Sequence, residues 1–173
     1  MKNTKLIVSK RILNKVMRDF LIEVDKSVGG TGKHIYLRQG PCFAAVMYEE
    51  QDMTREFTYC IEDILERGGD YRNGIGVIAA NMGHRAAYAK GFAQVTRILL
   101  HEFGHHMTYH QIMALYGEDT MAMMYAVAAH DNHKYLSVPC EFVATKWALD
   151  WLADSEHRKI AREFEHKFWA CFE

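Results

Sequence analysis

Apolar positions near the start of the chain recur with a helical period. Ile12, Leu13, Val16, Met17, Phe20, Leu21 and Val24 form one stripe, Ser9 stands before it as an N-cap, and "VGGTGKH" closes it. This predicts an amphipathic first helix. "HIYLRQ" and "CFAAVMYEE", rich in β-branched and aromatic residues, flank Gly40 and Pro41 and predict a hairpin of two strands. Thr54 is then expected to cap a second helix with Phe57, Ile61, Ile64 and Leu65 inward, closed by Gly68 and Gly69. "GIGVIAAN", residues 74–81, is too short for a helix and is bounded by glycine and asparagine, which predicts a strand. Residues 85–116 read as one long helix with a kink near Gly91 and an end at Gly117. Helical segments are expected over 120–130, 138–153 and 155–172. Strands early and helices late predict an α+β fold, with a short antiparallel or mixed sheet packed on the long helix and a helical C-terminal part. One domain over 1–173 is expected, its helix and strand part at 1–81 and its helical part at 82–173.

Composition narrows the partners. Of 173 residues, 49% are hydrophobic and 25% charged, enough for a packed core. A formal charge of -1 leaves no basic field for phosphate backbones, so nucleic acid is not an expected partner. Lys5, Lys10, Arg11 and Lys15 interrupt the first segment, and no apolar stretch is long enough to span a bilayer. A soluble, cytoplasmic protein without membrane contact is the expectation. Cys42, Cys60, Cys140 and Cys171 are scattered without a CxxC pair, unlike a zinc ribbon or a disulfide scaffold, and read as reduced packing thiols.

The chemistry concentrates in "RILLHEFGHHMTYHQ", residues 97–111. On a helix, His101 and His105 lie one turn apart on one face, where both imidazoles can reach one metal ion, with Glu102 on the flank. The His-Glu-x-x-His pattern is the zincin motif: two histidines hold zinc, and the glutamate takes a proton from water that the metal has made acidic. Ile98, Leu99, Leu100 and Phe103 surround it, so these polar groups need a buried partner. Gly104 is expected to leave room beside the metal for a strand or a substrate backbone.

A catalytic zinc site needs a third protein ligand and one open position. The contiguous third histidine of metzincins is absent, because Thr108 and Gln111 stand at the glycine and histidine positions. The best candidate lies in "VPCEFVATKWALDWL", a helix begun by Pro139, where Glu141 is followed by Ala144 and Ala148 at helical spacing. That small-residue face can lie close against the motif helix and aim Glu141 at the metal. The competing reading makes Glu141 an ordinary first-turn glutamate favoured by the helix dipole. His110, His106 and His133 are the alternative ligands.

"HEFGHH" on a long helix, followed by "PCEFVATKWALDWL", resembles the small gluzincin-type zinc metallopeptidases, most closely the ImmA/IrrE-like domain, over about residues 70–153. The resemblance implies a compact α+β zincin core and one zinc per chain held by His101, His105 and Glu141, with Glu102 as base. It also implies a protein or peptide substrate; the family is associated with cleavage of repressors encoded by phage or mobile elements. Thr145 departs from the thermolysin-like pattern, where an Asp orients a ligand histidine. No helix-turn-helix segment is identifiable.

The function expected is zinc-dependent peptide-bond hydrolysis; the alternative is a zinc-stabilised regulatory or binding protein without efficient turnover. The strand at 74–81 is a candidate edge for an extended peptide, or a core strand without a ligand role. His133, Tyr135 and His157 are candidate oxyanion donors, each more simply a surface or packing residue. "SVGGTGKH" departs from a phosphate loop at Ser27 and His34, and "GIGVIA" runs into strand-like residues instead of opening a helix. Met113, Met121, Met123 and Met124 read as adaptable core.

Overall fold

The computed structural model describes residues 10–31, 34–39, 44–48, 54–59, 91–128 and 138–171. Five helices carry the described side chains: α1 (Lys10–Ser27), α2 (Gln94–Tyr116), α3 (Glu118–Ala128), α4 (Pro139–Ala153) and α5 (Ser155–Ala170).

The stripe on α1 does what its period predicts. Leu13, Met17, Phe20, Leu21 and Val24 are buried, and Phe20 stacks on Phe164 of α5 with ring centroids 4.2 Å apart. The helix ends where Gly29 and Gly30 take φ of 93° and 75°, a conformation open to glycine at little cost. Asp154 caps α5 by accepting from the backbone N–H groups of Glu156 and His157 at 2.7 and 3.2 Å.

Helix α2 is central, with Val95, Ile98, Leu99, Leu100 and Phe103 all buried. Gly91, with φ of 89°, lies in the turn before it, and the helix starts at Gln94; residues 85–90 of the expected long helix lie outside the described residues. No side chain of its own caps α2. Glu165 of α5 does so instead, accepting from the Ala93 N–H and, at 2.7 Å, from the Thr96 hydroxyl, which puts a carboxylate at the positive end of the helix. Helix α4 lies against α2 at backbone contact. A Cβ on Gly104 would stand 2.4 Å from the Ala144 carbonyl oxygen, so only glycine permits this approach. The room expected beside the metal for a strand or substrate is filled by α4.

The expected α+β class is corrected. The residues with described side chains form helices and no strand, and every described core residue is helical or flanks a helix. The periodic apolar faces of α1, α2, α4 and α5 bury one another, so the described core is built from helix faces. Backbone pairing between α1 and α2 links three short segments, β1 (His34–Gln39), β2 (Ala44–Tyr48) and β3 (Thr54–Tyr59), in the order β1-β3-β2. β1 runs parallel and β2 antiparallel to β3, so the two segments expected to form a hairpin are not neighbours. Thr54 opens β3 and not a helix. Thr54, Phe57, Thr58 and Tyr59 favour extended backbone, and of the apolar positions that suggested the helix only Phe57 falls within β3. Residues 61–69, the segment 74–81 and Ser9 lie outside the described residues.

Candidate metal centre

The site is assembled from α2 and α4, with α3 behind it. One helical turn separates His101 and His105, whose Nε2 atoms converge to 3.1 Å. Glu141, in the first turn of α4, brings Oε2 to 2.9 Å from His101 Nε2 and 3.3 Å from His105 Nε2. Pro139 at the start of α4 and the Gly104–Ala144 contact set the height of Glu141 along α2. His101 and Glu141 are buried, at 7% and 2% exposure, and His105 is partly buried. A helix-dipole glutamate would lie in water at the end of its helix, whereas this one is enclosed beside two imidazoles.

Three acceptor atoms facing one another in a buried site require a proton or a cation between them. The three side chains form a group that can hold a metal ion. A tetrahedral ion with bonds of about 2.0–2.1 Å separates its donors by about 3.3–3.4 Å. The observed triangle of 2.9, 3.1 and 3.3 Å is close to that edge and needs only small expansion.

Charge sets the state of these side chains. Burial pushes the Glu141 carboxyl up, but hydrogen bonds and charge from His101 and His105 overcome it and hold the group well below the usual carboxylate range. Burial pushes His101 down, and the hydrogen bond and charge of Glu141, with the charge of Glu102, carry it above its ordinary value. Glu102 is itself buried.

Two hydroxyls complete the site. Thr145, one turn beyond Glu141, places Oγ1 3.0 Å from His101 Nδ1 and so can accept a hydrogen bond from Nδ1–H, which leaves Nε2 facing inward with its lone pair. The position that departs from the thermolysin-like pattern thus still orients the His101 ring, with a neutral oxygen in place of a carboxylate. Its signal was present in the four-residue spacing from Glu141. The Tyr125 hydroxyl donates to Glu141 Oε1 and lies 2.8 Å from Cys140 Sγ. Nothing in the local sequence marks it: Tyr125 reaches the site because Gly117, at φ 74°, turns the chain from α2 into α3. Burial, then the Glu141 charge, push the Tyr125 phenol far up, and burial pushes the Cys140 thiol up.

The alternative ligands fall elsewhere. His110 is exposed, with its ring against Tyr109. His106 is buried, with Nε2 3.4 Å from Thr31 Oγ1 and its ring against Phe103. His133 and Tyr135 lie outside the described residues. His157 is a packing residue, stacked on Trp151 at 4.5 Å with Nδ1 3.0 Å from the Trp151 carbonyl oxygen. Among the methionines, Met121 is in the core and Met123 is exposed.

Comparison of the chain with known protein families, with curated proteins and with solved structures finds no match. Among the described residues, no helix is long and apolar enough to cross a membrane.

Proposed function

We propose that the chain is a zinc-dependent peptidase, of the small gluzincin type its motifs resemble, acting on a protein or peptide in the cytoplasm. The observation that carries this reading is the convergence of His101 Nε2, His105 Nε2 and Glu141 Oε2 in one buried group, with Glu102 on the same helix as His101 and His105. The likeness rests on the two helices and their residues, not on the fold as a whole. Two imidazoles and one carboxylate suit zinc, and together they give a divalent ion three protein ligands.

Zinc, when bound, lowers the pKa of a coordinated water towards neutrality and polarises a carbonyl group. The chain supplies the rest. Thr145 holds His101 in the tautomer that presents Nε2, and Glu141 contributes the formal negative charge. Glu102 accepts the proton of the attacking water and returns it to the departing amine nitrogen. A base on the motif helix, Glu102, favours a catalytic centre, because a purely structural site has no need of one.

Purified protein should carry about one zinc per chain, and His105→Ala should lose most of it. Glu102→Gln should retain zinc while hydrolysis falls about 100-fold or more. Substrates are found by comparing new protein termini in cells expressing wild type and Glu102→Gln. Full zinc retention by both His105→Ala and Glu141→Ala removes the ligand assignment; unchanged cleavage by Glu102→Gln removes the base.

A further inference from the structure

The two carboxylate oxygens of Glu141 have different neighbours. Oε2 faces both histidines, whereas Oε1 accepts the hydroxyl of Tyr125. An ionised carboxylate has no proton to give, so Tyr125 must be the donor. The phenol oxygen retains a lone pair that can accept the Cys140 thiol proton across 2.8 Å. A directed chain results, from Cys140 S–H through Tyr125 O–H to Glu141 Oε1. Its members come from α3 and the first turn of α4, and α3 also packs through Met121 and Ala128 against Ile112, Val138 and Cys140.

We infer that Tyr125 is the positioning residue of the metal centre, holding Oε1 of Glu141 away from the ion so that the glutamate binds through Oε2 alone. The inference rests on the metal-binding reading above and deepens it. A carboxylate free to bind through both oxygens would offer a fourth donor atom to the three-residue set. With Oε1 engaged by a phenol, the set stops at three donor atoms, and a four-coordinate ion keeps one position for water or substrate. Partners that orient metal ligands from behind govern affinity as well as geometry.

The test is a double-mutant cycle read by metal affinity, with cobalt(II) absorption as a second readout. Zinc is titrated against a competing chelator in wild type, Tyr125→Phe, Glu141→Ala and the double variant. Tyr125→Phe keeps the ring and should bind zinc about 10- to 100-fold more weakly. The cobalt(II) spectrum of Tyr125→Phe should lose intensity as coordination rises from four to five. In the Glu141→Ala background, removing the hydroxyl should change the remaining affinity less than twofold, because Tyr125 acts through Glu141. Equal affinity and equal spectra in wild type and Tyr125→Phe overturn the inference and leave the metal site standing. Failure of wild type to bind zinc or cobalt overturns both. Should metal-free Tyr125→Phe lack a cooperative helical melt, 3-fluorotyrosine at position 125 replaces it: altered zinc affinity supports the inference and unaltered affinity overturns it.

Discussion

The two helix pairs of this molecule solve opposite problems. Between α1 and α5 the contact is apolar, with Phe20 on Phe164 and with Leu13, Met17, Phe168 and Ala161 buried beside them. The rim of the groove between them carries i to i+4 ion pairs such as Lys15–Asp19 and Lys167–Glu163, each adding little to stability. Between α2 and α4 the buried residues include His101, Glu102, Glu141 and Thr145. Burying those groups opposes folding unless each is paired. The α1–α5 pair needs no ligand. The α2–α4 pair carries a buried group that can hold a metal ion, and an ion bound there would add to the stability of the folded state.

The largest effect that sharpens this contrast is expected in the apolar pair. Phe164→Ala deletes a buried ring and should cost about 3–5 kcal/mol by chemical denaturation. The loss should be the same with zinc and with chelator, because the ring touches none of the ligands; a loss that depends strongly on metal would erase the distinction between the pairs.

Next is Gly104→Ala. The added Cβ meets backbone, the Ala144 carbonyl, and a helix cannot move aside as a flexible side chain can. The cost should be about 1–3 kcal/mol as overpacking. Since any relief moves α4 off α2 and Glu141 away from the histidines, zinc affinity should fall as well. Unchanged affinity in a destabilised Gly104→Ala protein would show that the ligands are not set by this contact.

The smallest effect is a difference in pH dependence. In metal-free protein, Glu141 has a carboxyl pKa below its ordinary 4.5, so its contribution is present above 4.5 and is lost as pH falls through the lowered value. His101 is raised above its ordinary 6.5, so its contribution is complete below 6.5 and is lost as pH rises through the raised value. Both act together between 4.5 and 6.5. Zinc requires neutral imidazoles, so its stabilisation should grow as pH rises through that upper limit. Melting temperatures across pH, with zinc and with chelator, should therefore diverge on the alkaline side; parallel curves would exclude proton and metal competing for the same atoms.

What could be read in advance follows the range of the interactions involved. The 3.6-residue period placed α1, α4 and α5 to within a few residues, and the four-residue spacing of His101 and His105 put both on one face of α2. Those are properties of a single helix. Thr54–Tyr59 was misread because a few apolar positions fit two periods, and strand pairing across the chain decided between them. The weight of the core was misplaced for a related reason: local pattern ranks strands and helices alike, whereas burial depends on which apolar faces meet. That Glu141 faces His101 and His105 became legible only once α4 was docked.

The sequence by itself therefore determined the inventory and the local geometry: a helix carrying His101, Glu102 and His105, and a second whose Glu141 precedes the small residues Ala144 and Ala148. Only the tertiary structure decided that Gly104 and Ala144 meet at backbone distance, that Thr145 stands behind His101, and that Tyr125 engages the outer oxygen of Glu141. The physical reason is one of range. Helical periodicity is set by hydrogen bonds four residues apart, while the meeting of residues 16 to 44 positions apart is set by the packing of whole faces, which no local window contains.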